Sequence, residues 1–307
     1  QCQGSVAIES RIRREQDVVK WAMSCDVASM SVNSSGVVKP AGMPSTLQLE
    51  GQLTAARGRW LLEVQDAVAD VGGCFAKLNG RCEFPVPQNE GFDLQSLEGL
   101  QAGLSVHADA DAPLLNAYPR FKYLLLKNSV KGEAILAADV KQASSGIEAT
   151  VKVDLSDVAI GPRGGMSKPA GLPATVDARL SAPAEMNRIR LRNLHARLGD
   201  LHAIAAGDVA VKRDETGNLV PGDYSLKASA SCEDLSCVAS LFREMATMQP
   251  AGCAFVSLQC DSSQQGVKTV ELITPGLSVV HRGRSVSLAG RVALEDVVIA
   301  QESLGIG

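Results

Sequence analysis

The sequence predicts a mainly β, antiparallel fold built from a long repeated unit, and three observations carry that expectation. The segment Lys39-Pro40-Ala41-Gly42-Met43-Pro44 returns as Lys168-Pro169-Ala170-Gly171-Leu172-Pro173, an offset of 168 − 39 = 129. Period-2 alternation of apolar and polar residues, the mark of half-buried strands, covers much of the chain. Gly, Pro, Asn and Asp punctuate these stretches at hairpin spacing.

Independent landmarks keep the register of the repeat. Gly4 to Gly132 and Asp26 to Asp154 are each offset by 128, and Gly132-Glu133-Ala134 precedes Gly146 by the same fourteen residues that separate Gly252-Cys253-Ala254 from Gly266. The expected organisation is therefore residues 4–131, 132–251 and 252–307: two units and the start of a third, since fixed-offset self-similarity marks architectures that grow by stacking.

Within the first unit, Leu47-Gln48-Leu49-Glu50-Gly51-Gln52-Leu53 alternates, and Trp60 to Val64 follows an Ala-Arg-Gly turn. Next comes a helical interruption from Pro113 to Leu126, broken by Pro119, which removes a backbone donor in mid-helix. The second unit answers with Val176 to Leu180, Ile189 to Arg192, Leu201 to Val211 and Gly222 to Ala230. Its helix runs from Asp234, a capping residue, to Met248. Leu235, Val238, Leu241, Phe242 and Met245 form an apolar stripe there, suited to packing on a sheet edge. Later strands are expected at Ala254 to Gln259, Val267 to Ile273, Ser285 to Val292 and Leu294 to Ala300. The Pro-Ala-Gly-x-Pro segments read as rigid corners that deliver the chain into the next strand, because two prolines fix φ and supply no N–H.

Composition excludes several functions. The 307 residues are 45% apolar and 21% charged with a net charge of −4, which fits a folded chain and offers no basic footprint for nucleic acid. Aromatics at 4% leave few stacking platforms for bases or sugars. No run approaches the roughly 20 apolar residues of a membrane span, and the first twelve residues lack a signal-peptide pattern. The chain starts without Met and stops just past the strand-like Val297-Val298-Ile299, so we expect it to be part of a longer protein.

Chemistry-bearing motifs are scarce. There is no Gly-x-Ser-x-Gly elbow, Walker loop or His-Glu-x-x-His, and Gly161-Pro162-Arg163-Gly164-Gly165 lacks the Lys-Ser/Thr ending of a phosphate cradle. Asp154 and Asp157 stand at a strand end before a turn, a place for capping rather than for a carboxylate pair. The even set Cys2, Cys25, Cys74, Cys82, Cys232, Cys237, Cys253 and Cys260 permits disulfides, with Cys74/Cys82, Cys232/Cys237 and Cys253/Cys260 as near pairs, but spacing alone fixes no pairing. No Cys-x-x-Cys or Cys/His array provides a zinc site. Neither catalytic residues, a metal nor a cofactor is expected.

The segment Val151-Lys152-Val153-Asp154-Leu155-Ser156-Asp157 running into Lys168 to Pro173, with the strands from Val176 to Val211 and Gly222-Asp223-Tyr224-Ser225-Leu226 before the Asp234 helix, resembles the AsmA-like envelope proteins of the YhdP and TamB type. The eight cysteines depart from a usual envelope sequence. The resemblance implies a long, twisted β-sheet folded into a repeated groove, with one short helix per repeat. It also implies a periplasmic location, an inner-membrane anchor in a part of the chain absent here, and phospholipid as the cargo carried toward the outer membrane.

Physics fits that task. A two-chain lipid with about 16 methylenes per tail loses on the order of 25 kcal/mol when fully exposed to water, at about 0.8 kcal/mol per methylene. A strand places every second side chain on one face, so a sheet can give acyl chains a continuous apolar track. The candidate lipid-facing residues are Leu47, Leu49 and Leu53 in the first unit and Val176, Ala178, Leu180, Ile189 and Leu191 in the second. Arg188, Arg190, Arg192 and Arg197, with His195 and His202 nearby, form a basic cluster able to meet headgroups or simply to solvate a strand. The alternative is a structural or scaffold module of the envelope, whose apolar face is closed core and whose surface binds other envelope proteins.

Overall fold

The computed structural model describes residues 2–34, 37–56, 58–85, 98–117, 119–143, 146–161, 165–183, 185, 187–213, 219–262, 266–281 and 284–297. The fold is mainly β and antiparallel, as the alternation predicts, and it divides into two compact units, Gln1–Gly164 with Lys168–Gly171 and Gly165–Ser167 with Leu172–Gly307.

The first unit contains β1 (Cys2–Gln3), β2 (Ala7–Glu15), β3 (Val18–Asp26), β4 (Ser31–Ser34), β5 (Val37–Lys39), β6 (Ser45–Ala56), β7 (Arg59–Val71), β8 (Cys74–Pro85), β9 (Glu98–Asp109), helices α1 (Pro113–Ala117) and α2 (Pro119–Asn128), β10 (Glu133–Ala143) and β11 (Gly146–Asp154). Its main sheet has the order β2-β3-β6-β7-β8-β9-β10-β11, and β1, β4 and β5 form a separate small sheet. The second unit contains β12 (Ala174–Ala182), β13 (Arg188–Leu198), β14 (Leu201–Arg213), β15 (Leu219–Cys232), α3 (Leu235–Ala239), α4 (Arg243–Ala246), β16 (Ala251–Asp261), β17 (Gly266–His281) and β18 (Arg284–Val297), its strands neighbouring one another in chain order. Neighbours in sequence are neighbours in the sheet, which is what short hairpin links require.

The elements follow the order hairpin, corner, four strands and helical segment twice along the chain. The opening hairpins are β2–β3, β10–β11 and β16–β17; the four-strand sets are β6–β9 and β12–β15. The division into compact units does not follow the repeat limits. Residues Glu133 to Lys141 of β10 pair along their length with β9, so contacts do not thin at residue 132, and Ala254 to Asp261 pair in the same way with β15.

Each repeat opens on a glycine. Gly4, Gly132 and Gly252 all have positive φ, and a Cβ there would stand 2.4 Å from the Ser29 carbonyl oxygen, 2.2 Å from that of Asp157 and 1.7 Å from that of Gly276. Only a residue without a side chain lets the two backbones approach so closely.

Aspartates end the strands. The Asp26, Asp109, Asp154 and Asp234 carboxylates accept the backbone N–H of Ala28, Asp111, Ser156 and Ser236 at 2.8, 2.9, 2.8 and 2.9 Å. These Asx turns divert the backbone from the ladder, and the last of them caps α3 as its sequence predicts. The two Pro-Ala-Gly-x-Pro segments do turn the chain into β6 and β12. Gly42 and Gly171 N–H donate back across the corner to the Ala28 and Ser156 carbonyls, each at 2.9 Å.

Two expectations about elements are corrected. The second helical interruption holds two short helices rather than one, breaking between Ala239 and Arg243, while the first is helical over Pro113–Ala117 and Pro119–Asn128, residue 118 lying outside the described residues. The two last strands are one, β18, and Val298 to Ala300 lie outside the described residues, as does Pro162 to Gly164 of the glycine-rich segment.

The third copy lacks the corner for a structural reason. Thr274 occupies the place of Asp154 (274 − 154 = 120), its Oγ1 donates to the Cys253 carbonyl at 2.9 Å, and β17 runs on past a register shift to His281. A hydroxyl turned to the neighbouring strand does not offer the Asx turn, and the strand continues.

Most of the buried apolar side chains sit at the corner end of the strands. Met43, Ala110 and Ala112 pack beside the β7–β8 turn and α1 in the first unit, and Val238, Ala239 and Leu241 belong to the α3 region of the second.

Candidate functional site

Paired residues of an antiparallel ladder share a face. In the first unit one row across the sheet reads Met23, Leu49, Ala67, Leu78, Leu104, Ala138, Val151. The row beside it reads Cys25, Leu47, Ala69, Ala76, Val106, Leu136, Val153. Leu53 lies on the same face between Val19 and Leu62. Trp21 covers Gly51, where a Cβ would meet the indole at 2.3 Å.

The opposite face is polar. Ion pairs and hydrogen bonds cross it between neighbouring strands: Gln52 to Glu63 at 2.7 Å, Lys77 to Asp66 at 3.1 Å, His107 to Glu133 at 2.9 Å and Lys141 to Glu148 at 3.2 Å. Phe75 packs edge-on against the His107 ring on this side.

The second unit repeats the separation. Val176, Ala196, Ala203, Ala230, Val256, Leu272 and Val292 form one row, and Ala178, Leu194, Ala205, Ala228, Leu258 and Val270 form the next. Leu180 faces Leu191, and Ile189 faces Val209 on the same side. Strict alternation along β13 would put Leu191 and Leu194 on opposite faces. A bulge at Arg192 and Asn193 adds one residue and restores the phase.

The chain thus brings the three candidates of the first unit onto one face of its sheet, and the five of the second unit onto one face of its own. None of them is fully buried. Leu49, Leu53, Val176, Ala178, Leu180 and Leu191 are half-buried, while Leu47 and Ile189 retain 36% and 40% of their surface. A hollow of about 150 Å³ opens on the apolar face of the first unit above Gly80, lined by Leu62, Val64, Leu78, Cys82, Leu100 and Ala102.

The basic cluster of β13 divides. Arg188 stands 3.5 Å from Asp208, Arg192 Nε donates to Ser181 Oγ at 3.1 Å, and Arg197 Nε donates to the Gly199 carbonyl at 3.0 Å. Three of the four arginines are engaged with the chain itself. Asp154 is held below the usual carboxylate range by hydrogen bonds from Ser156, which is a turn's electrostatics.

All eight cysteines are free thiols. Cys74 and Cys82 lie on one strand, where eight residues at about 3.3 Å each separate them by on the order of 26 Å, far beyond disulfide reach. Cys253 and Cys260 share β16 for the same result. Burial pushes the Cys74, Cys82 and Cys232 thiols up, so they act as small apolar residues, and Cys25, Cys82 and Cys260 sit in the apolar rows.

Sequence reasoning missed β2, β3, β8, β9 and β10, and with them Trp21, Leu78 and Leu104. Their alternation is shorter or mixed with Gly and Ala, and only pairing reveals which side each residue takes. It also missed the motif lysines. Lys39 is 7% exposed and its ammonium donates to the carbonyls of Val27, Ala28 and Met30 at 2.8, 3.3 and 2.7 Å. Lys168, 3% exposed, donates to Ser156, Val158 and Pro169 at 2.8, 2.7 and 3.3 Å. The recurrence of Lys in both motif copies was the signal.

Among the described residues no group of His, Cys, Asp and Glu is placed to hold a metal, and no helix is long and apolar enough to cross a membrane. Comparison with family models, curated proteins and solved structures finds no match in any of the three.

Proposed function

We propose that this chain is a non-enzymatic lipid-transport module that carries phospholipid acyl chains on the apolar faces of its sheets. The observation that carries the reading is the half-exposure of those faces: mid-strand positions that a closed sandwich buries completely keep solvent contact here, with Leu78 at 42% and Val256 at 38%. An alkyl chain laid along such a row covers side chains spaced one strand apart, about 4.8 Å, and exchanges water for apolar contact at each step. The task needs length and apolarity and no reacting group. With the resemblance described above, the same reading places the work in the periplasm, between an inner-membrane anchor and the outer membrane.

The test is native mass spectrometry with lipid extraction, comparing the protein with a variant carrying Leu49→Asp, Val176→Asp and Leu191→Asp. Phospholipid that copurifies with the protein and disappears from the folded variant supports transport. A folded protein free of lipid, together with a variant that unfolds, makes those rows a closed core in solution and favours the envelope scaffold.

A further inference from the structure

The polar face of the second unit holds a hollow of about 560 Å³, the size of a small-ligand site, on the side of the sheet away from the apolar rows. It arises from side-chain size. One polar-face row reads His195, Ile204, Ser229, Ser257, Glu271, so two serines lie at its centre with larger residues at both ends. Ala206 deepens the floor, Phe255 and Ile204 supply apolar walls, and both are unusually exposed for this face at 37% and 51%.

The polar groups around it are unevenly satisfied. Glu271 at the rim is neutralised by an ion pair with Arg291. Lys227, facing Gln259 across the β15–β16 ladder, has no ion-pair partner among the described residues and leaves one positive charge at the hollow. Asn193, placed by the β13 bulge, contributes a side-chain oxygen that is shielded from solvent and accepts no hydrogen bond. A shielded acceptor without a donor is destabilising, and a ligand N–H or O–H would relieve it.

We infer that this hollow is a binding site for a small aromatic anion: the ring against Phe255 and Ile204, the anionic group on Lys227 and a hydrogen-bond donor toward Asn193. An acyl chain lying on the opposite face cannot reach it, so the inference stands apart from the lipid reading. A purely anionic ligand would leave the apolar walls wet, and a purely apolar one would leave the Lys227 charge and the Asn193 oxygen unused.

The experiment is NMR titration of the whole protein with 4-hydroxybenzoate, with benzoate, acetate and phosphatidylglycerol vesicles as parallel arms. Saturable amide shifts at Ser229, Ser257, Gln259 and Thr269 are expected, weaker severalfold for benzoate and absent for acetate. Lys227→Met, an exposed position, should weaken 4-hydroxybenzoate about tenfold or more, in line with loss of a charge-assisted hydrogen bond. Ser257→Trp should fill the hollow and abolish the shifts; if that variant unfolds, Lys227→Met decides. Equal binding of acetate, unchanged affinity in Lys227→Met, shifts confined to Leu104 and its apolar row, or the same shifts with vesicles would each overturn the inference.

Discussion

Lys39 and Lys168 show why single residues of the repeated motif matter more than its prolines suggest. A buried ammonium with three carbonyl partners ties the strand-ending loop to the corner, and its removal leaves three acceptors facing one another. Lys168→Met should therefore cost about 3 kcal/mol in urea unfolding, since a lost charge-assisted contact and stranded carbonyls both count; a change within error would show that water takes over. Glycines offer a paired comparison. Gly171→Ala meets only the positive-φ penalty of about 1–2 kcal/mol, because nothing lies within 4 Å, whereas Gly132→Ala adds a clash with the Asp157 carbonyl and should fall well below it in stability. Asp154 and Asp234 have folded-state pKa values below the ordinary carboxylate. Their contribution is present above the unfolded value of about 4 and is lost as pH falls through the lower folded value. Asp154→Asn together with Asp234→Asn should flatten the acid limb of the stability profile, which thermal melts from pH 2 to 6 would read.

At the scale of elements, the cysteines and the β13 bulge carry the lesson. Free thiols on strands in the apolar rows predict that alkylation in denaturant without reductant modifies all eight, whereas the folded protein leaves Cys82, Cys232 and Cys260 slow, their thiolates disfavoured or their side chains buried. Fast reaction at Cys260 in the native state would contradict its placement. Deleting Arg192 would remove the extra residue and leave Leu191 and Leu194 two apart on one face of a regular strand, so the deletion should keep the amide exchange protection of Leu194 to Leu198 about as well as Arg192→Ala does, and loss of that protection would show that the bulge itself is required. The helical interruptions were legible as to place, from Pro119 and Asp234, but not as to number, because where a helix stops depends on what its ends meet. Ser167 N–H takes the Leu241 carbonyl and Arg243 N–H takes that of Gly165, contacts no local pattern announces.

For the whole molecule, half-exposed apolar rows in each unit and open strand edges set the behaviour in solution. Every residue of β2 is exposed, with Ile8 at 64% and Ile12 at 76%, and β2 stands at the end of the strand order. Such an edge is a template for another strand. The protein should associate as its concentration rises, and Ile8→Lys with Ile12→Lys should suppress that in sedimentation velocity; a monomer unchanged by both conditions would mean the edge is protected. The proposed lipid binding belongs to this scale as well, because no single row residue would hold an acyl chain and affinity would grow with the number of rows crossed.

What the sequence determined by itself was local and periodic. Alternation fixed β-strands and the two-faced character of Leu47 to Leu53 and Val176 to Leu180, and the recurring Lys-Pro-Ala-Gly segment fixed the repeat and its corners, because strand pleat and proline geometry act within a few residues. Tertiary structure decided what alternation leaves open: which strands pair, that the β13 bulge keeps Leu191 and Leu194 on one face, that Lys39 and Lys168 point inward, and that the apolar rows stay half-exposed. A period of two says that a strand has an apolar side. Only the partners across the ladder and above the face determine whether that side becomes core or surface.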